Sequence, residues 1–184
     1  ITWTQTGGNA DPGSPRVQAL SGAELALGAH SNITLANNPA LVDGAIYSLA
    51  FNCTDLAGNA ATTVTRTNVT YDFTVPVISS VSPSNGAVLN HKQVAYTLSE
   101  TCAGANITWT RTGGTADGAS PHVQALTGAE LNAGAHGPAT ITNNPPLVSG
   151  AVYDITFNCT DAAGLVATAV NVTSVTFDNV APVI

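Results

Sequence analysis

From Tyr153 onward the side chains alternate, with Tyr153, Ile155, Phe157 and Cys159 on one parity and Asp154, Thr156, Asn158 and Thr160 on the other. This period of two places one face of a strand in a core and the other in water. The stretch Leu147 to Asp161 therefore predicts a half-buried antiparallel strand, with a lead-in turn at its start and an exit turn at Asp161 to Gly164. Ile1 and Trp3 alternate in the same way against Thr2 and Thr4. Further strands are predicted over Ser79 to Ser82, Gln93 to Leu98, Ile107 to Arg111, Val123 to Leu126, Ala139 to Thr142 and Ala167 to Phe177. In the last of these the apolar parity shifts between Val172 and Val175, which predicts a β-bulge.

The pattern occurs twice. Leu41 to Asp55 repeats Leu147 to Asp161, and Trp3 with Trp109, Cys53 with Cys159 and Pro76 with Pro182 share one constant offset of 106 residues. Self-similarity at a fixed period marks a repeated structural unit. The expected organisation is an incomplete module over 1–78, carrying the later five strands, and a complete one over 79–184. The first module lacks its two opening strands, so those strands are expected from upstream sequence or from a neighbouring molecule. They would pair along residues 1–6 or along the 64–71 edge.

Both copies carry L-x-x-G-x-x-Y, as Leu41, Gly44 and Tyr47 and as Leu147, Gly150 and Tyr153, followed by D-x-A-G-N at Asp55 to Asn59 and by D-x-x-x-P at the joins. These phrases resemble the tyrosine corner and following strands of immunoglobulin-like and fibronectin type III sandwiches, and the tandem repeats of that kind in large bacterial surface proteins and adhesins. The resemblance implies an all-β fold of tandem immunoglobulin-like β-sandwiches, about seven strands to a complete module. It also implies that each tyrosine hydroxyl ties down the loop before its strand. The short Pro-containing join from Tyr71 to Ile78 leaves little slack, and modules stacked end to end as a rod are expected.

Three cysteines fit the repeat unevenly, because the counterpart of Cys102 would precede Ile1. A Cys102–Cys159 disulfide is expected, with Cys53 lacking a partner in this chain; three buried free thiols are the alternative. With strands alternating in direction, Cys102 and Cys159 arrive at the same pole. A disulfide implies an oxidising, extracytoplasmic compartment, extracellular or at a cell surface. The start at Ile1 rather than Met suggests a processed product or a segment of something longer.

Only 8% of residues are charged and the net charge is −7, with four Lys plus Arg. No cationic stripe is present to displace phosphate counterions, which argues against a nucleic-acid partner. No apolar run approaches the ~20 residues of a membrane span, so membrane insertion is not expected. Catalysis finds little support either. The repeated His30 and His136, each six residues after a glutamate (Glu24, Glu130), offer two ligands where a metal needs three or more, and no nucleophile motif occurs. An enzyme is not expected.

Calcium is the one candidate cofactor. The resemblance implies calcium at module junctions, and Asp72, Asp161, Glu100 and Asp11 are the oxygen donors that the predicted topology would gather there. The second copy departs from D-x-A-G-N, with Leu165 where Asn59 stands, which weakens that site. Asparagines in N-x-T triplets (Asn32, Asn52, Asn68, Asn106, Asn158, Asn171) read as solvent-facing strand residues, and Trp3 and Trp109 as core. The expected function is a structural or adhesive stalk segment of a long extracellular repeat protein. Its partners would be neighbouring modules, copies of itself, or a surface receptor or matrix. The alternative is a subunit of an extracellular filament or sheath, its first module completed by a neighbour.

Overall fold

A computed structural model describes residues 1–31 and 33–184; Asn32, one of the N-x-T asparagines, lies outside the described residues. The chain is all-β. Its strands are β1 (Thr2–Gly8), β2 (Arg16–Val17), β3 (Ala45–Phe51), β4 (Val64–Tyr71), β5 (Ile78–Ser82), β6 (Val88–Leu89), β7 (Val94–Leu98), β8 (Gly104–Gly114), β9 (His122–Ala125), β10 (Gly134–Ala139), β11 (Ala151–Thr160) and β12 (Val170–Phe177). Two single-turn 3-10 segments, Gly22–Leu25 and Gly128–Leu131, are the helical elements among the described residues, and no helix there is long and apolar enough to cross a membrane.

The chain divides into two compact units, Ile1–Thr74 and Val75–Ile184. The division falls before the predicted boundary at 78, because Ile78 already belongs to the second core and the Ser99 N–H donates to the Val77 carbonyl.

The second unit sets a three-stranded sheet, β10-β7-β5, against a five-stranded sheet, β6-β12-β11-β8-β9. One continuous core fills the space between them: Val94, Tyr96 and Leu98 from β7 meet Ile107 and Trp109 from β8 and Tyr153, Ile155 and Phe157 from β11. The strict alternation along β11 is what allows this, since each inward residue faces the opposite sheet. The bulge falls where the parity shift places it: Tyr153 pairs with Val175 but Ile155 with Val172, and Ser174 takes a φ of 60° in between. One strand is displaced. Ala139 to Thr142 was expected to be extended, whereas the strand is β10, drawn earlier because residues 134–136 pair with Tyr96 to Leu98 of β7.

The first unit is a single four-stranded sheet, β2-β1-β3-β4. Its buried core is Ala45, Tyr47 and Leu49, with Ile1, Trp3, Leu41, Val42, Val69 and Tyr71 partly buried around it. Among the described residues four strands form, not the expected five. The segment matching β10 makes no strand among its described residues, because β10 depends on β7 for its hydrogen bonds and the first unit has no counterpart of β7. Residues 2–8 are not a free edge either, since β1 pairs with both β2 and β3, and β4 is the open one.

Candidate functional site

The two L-x-x-G-x-x-Y phrases build the same local structure. Gly44 and Gly150 sit at φ of 69° and 78°, a left-handed conformation that glycine enters without a Cβ penalty, and the turn folds the preceding backbone over the tyrosine. The Val42 N–H donates to the Tyr47 hydroxyl at 3.0 Å, and the Val148 N–H to the Tyr153 hydroxyl at 2.9 Å. Leu41 and Leu147 pack beside each ring as partly buried core residues. Each tyrosine in turn donates to a carboxylate: Tyr47 to Asp11 Oδ2 at 2.8 Å and Tyr153 to Asp117 Oδ2 at 2.7 Å.

Asp11 was expected to be a metal ligand, and the structure corrects this. Its side chain is fully buried, and both oxygens are occupied by the Arg16 guanidinium at 2.6 and 2.7 Å, by the Gly13 N–H and by Tyr47. The Arg16 bonds hold its carboxyl well below the usual carboxylate range, overriding the opposing effect of burial. In the second unit His122 stands in the place of Arg16, with Nε2 at 2.6 Å from Asp117 Oδ2. There the Tyr153 hydroxyl first, and His122 second, bring the Asp117 carboxyl down to about 2. These aspartates went unrecognised as tyrosine partners, although Asp11 and Asp117 repeat at the same offset as Tyr47 and Tyr153. Both oxygens of Asp11 and of Asp117 are hydrogen-bonded, so the assembly serves as a structural support.

The two tryptophans face their cores and donate from Nε1 to Gln18 and Gln124. Glu24 and Glu130 are not partners of the nearby histidines in any metal or acid–base arrangement. Each carboxylate caps its own 3-10 turn and accepts a backbone N–H from Ala36 or Thr142. His30 and His136 instead bond the carbonyls of Ala26 and Asn132. The N-x-T asparagines at 52, 68, 106, 158 and 171 are exposed or half-buried.

Cys102 and Cys159 are disulfide-bonded, with Cα atoms 5.9 Å apart across a sequence separation of 57. Closing such a loop stabilises a folded chain by roughly 4 kcal/mol on the chain-entropy account. Cys53 is a free, exposed thiol.

Of the other carboxylates expected to bind calcium, Glu100 and Asp161 lie in the second unit, and their oxygens approach within 4.8 Å. Asp72 belongs to the first unit and accepts the Thr74 N–H. Asp161 is buried; Oδ1 accepts the Leu165 N–H, while Oδ2 has no hydrogen-bond partner. In the first copy the Asn59 side-chain amide donates to Asp55 Oδ2 at 2.9 Å; Leu165, at the matching position of the second copy, carries no such donor.

The first unit presents one further feature. The face that in the second unit lies beneath β7 is open, forming a cleft of about 370 Å³ lined by Ile1, Leu20, Glu24, His30, Ile33, Leu35 and Phe51. Phe51 is 39% exposed, whereas Phe157, its counterpart, is 2% exposed. Against known proteins, the chain matches no family model and no curated protein.

Proposed function

We propose that this chain is a structural stalk segment of a long extracellular repeat protein, built from tandem immunoglobulin-like β-sandwich modules. The observation that carries this reading is the duplicated corner, Tyr47–Asp11–Val42 and Tyr153–Asp117–Val148. In both copies the buried polar side chains are spent on holding the sheet and its loop, and what repeats is architecture. The disulfide fits an oxidising compartment. The test is location: antibody against the chain should label intact source cells or their shed material, with Cys102 and Cys159 oxidised. Recovery from the cytosol with both thiols reduced would sink the proposal.

Part of that reading is a divalent cation to which Glu100 and Asp161 of the second unit contribute carboxylate oxygens, with water supplying further ligands, favoured by the buried, unpartnered Asp161 Oδ2. Carboxylate oxygens are the donors that calcium takes. Added calcium should raise the melting temperature of the second unit, and Asp161→Asn should abolish the rise. No shift with calcium removes the cation from the reading.

In a second reading the open face of the first unit is covered by a strand from outside residues 1–184, which in a filament or sheath a neighbouring molecule would supply. Under it the purified chain should take up a β-strand peptide at that face.

A further inference from the structure

We propose that Asn171 is a site of N-linked glycosylation, and that it is the one N-x-T asparagine of the second unit that carries a sugar chain. This rests on the extracellular reading, since N-x-T is a glycan acceptor in secreted chains, and adds to it a covalent modification at a named atom. Three N-x-T triplets fall in the second unit, at Asn106, Asn158 and Asn171. They lie on the outer face of the five-stranded sheet, on β8, β11 and β12, because the adjoining Ile107, Phe157 and Val172 point into the core. Outward parity exposes a triplet to solvent. Holding a glycan demands more, namely an unengaged amide nitrogen with room around it for a bulky chain.

The register separates the three. Asn106 and Asn158 stand directly opposite one another on β8 and β11, and both are half-buried. Asn158 Nδ2 donates to Asn106 Oδ1 at 3.3 Å, so a sugar on Asn158 would have to displace this contact. Asn106 is flanked on its other side by Ala125 of β9, and its oxygen also accepts the Thr108 hydroxyl at 3.3 Å. Asn171 is placed differently. It is exposed, as is Thr173, the threonine of its triplet. Its carbonyl oxygen accepts the Thr156 hydroxyl at 2.8 Å, which ties the side chain to β11 and leaves Nδ2, the atom that takes the sugar, without a hydrogen-bond partner among the described residues. On the side away from β11, the ladder of β12 with β6 covers Thr176 and Phe177 and does not reach Asn171.

The surrounding face gives the modification a physical use. Thr108, Thr110, Thr156 and Asn158 on it are uncharged, and the Asp154 carboxylate is bonded to the Ser174 N–H at 2.9 Å. With 8% of the chain charged, little electrostatic repulsion keeps such faces apart, and a hydrated oligosaccharide supplies the solubility that surface charge ordinarily gives. The reaction is a group transfer from a lipid-diphosphate-linked oligosaccharide. Asn171 Nδ2 attacks the anomeric carbon; the C–N bond forms, the bond from that carbon to the phosphate oxygen breaks, the lipid diphosphate leaves with the electron pair, and the amide nitrogen gives up one proton.

The test is peptide mapping of the whole chain recovered from its source, digested without reduction and treated in heavy-oxygen water with an amidase that removes N-glycans and converts each glycosylated asparagine into a labelled aspartate. Label at Asn171, with Asn106 and Asn158 unlabelled, is the expected result. An unlabelled Asn171 overturns the proposal, and so does label at Asn106 or Asn158. The full chain secreted from yeast gives a second measurement. Asn171→Gln should lower its mass by one glycan, and Thr173→Ala, which keeps the asparagine but destroys the triplet, should lose the same glycan; an unchanged mass in both variants overturns the site. The map also reports the Cys102–Cys159 bridge, which separates the two ideas. An oxidised bridge with Asn171 unlabelled removes the glycan and leaves the extracellular reading, whereas reduced thiols with Asn171 unlabelled remove both.

Discussion

The Tyr153 hydroxyl donates to Asp117 Oδ2 at 2.7 Å while accepting the Val148 N–H at 2.9 Å, joining β11 to two loops that lie 36 and 5 residues away along the chain. Tyr153 is fully buried, so phenylalanine at this position fills the same space but leaves both partners without their bond. Tyr153→Phe should lower the stability of the second unit by about 1 to 2 kcal/mol for the orphaned backbone donor alone, read as a lower urea midpoint at unchanged slope. A neutral change would mean that the corner carries no net stabilisation.

The same aspartate sets an acid limit. Its carboxyl is lowered in the folded state to about 2 from an ordinary value of 3.8, so the stabilisation it contributes is fully present above the ordinary value. That stabilisation fades as pH falls through the range between the two. Thermal melts of the second unit should therefore drop between about pH 4 and pH 2. Asp117→Asn should flatten that part of the profile, and an unchanged profile in the variant would assign the acid sensitivity elsewhere.

Gly114 occupies a position that no side chain can share. Its φ is 64°, and a Cβ built there would lie 2.1 Å from the Gly150 carbonyl oxygen, whose other partner is the Thr115 N–H. Gly114→Ala combines the left-handed penalty of about 1 to 2 kcal/mol with a contact that the backbone must move to relieve. Calorimetry should show a loss of at least about 2 kcal/mol, and a melting temperature equal to that of the parent chain would refute the close approach.

Separated at the division between Thr74 and Val75, the two units should behave differently. Residues 75–184 hold both sheets and the disulfide, and should give dispersed amide spectra. Among their described residues, residues 1–74 hold one sheet, three buried hydrophobic core residues and no disulfide. Burial at ~25 cal/mol per Å² is what offsets ordering entropy, and one uncovered sheet buries too little. A monomeric 1–74 fragment with dispersed amide resonances would show that the open face needs no cover.

The sequence by itself determined the elements whose information is local. Alternation along Tyr153 to Thr160 specifies strand β11 because a period of two has no other compact solution, and the parity slip between Val172 and Val175 specifies the bulge. The constant offset of 106 specifies a repeated unit, and it matches Cys53 with Cys159 while leaving Cys102 without a counterpart. Tertiary structure decided what depends on residues distant in sequence. The extended segment near 139 lies at Gly134–Ala139 because β7 supplies its hydrogen bonds, and the equivalent segment in the first unit makes no strand among its described residues because no β7 is there. Asp11 reads as a turn carboxylate available to a cation until Tyr47, 36 residues on, and Arg16 are found to occupy both of its oxygens. That Asp161 Oδ2 is buried without a hydrogen-bond partner is likewise visible only in the structure, although the leucine that replaces the asparagine donor of Asp55 Oδ2 is read from the sequence. Spacing along a chain shows which groups recur, whereas hydrogen-bond capacity is a property of the three-dimensional neighbourhood.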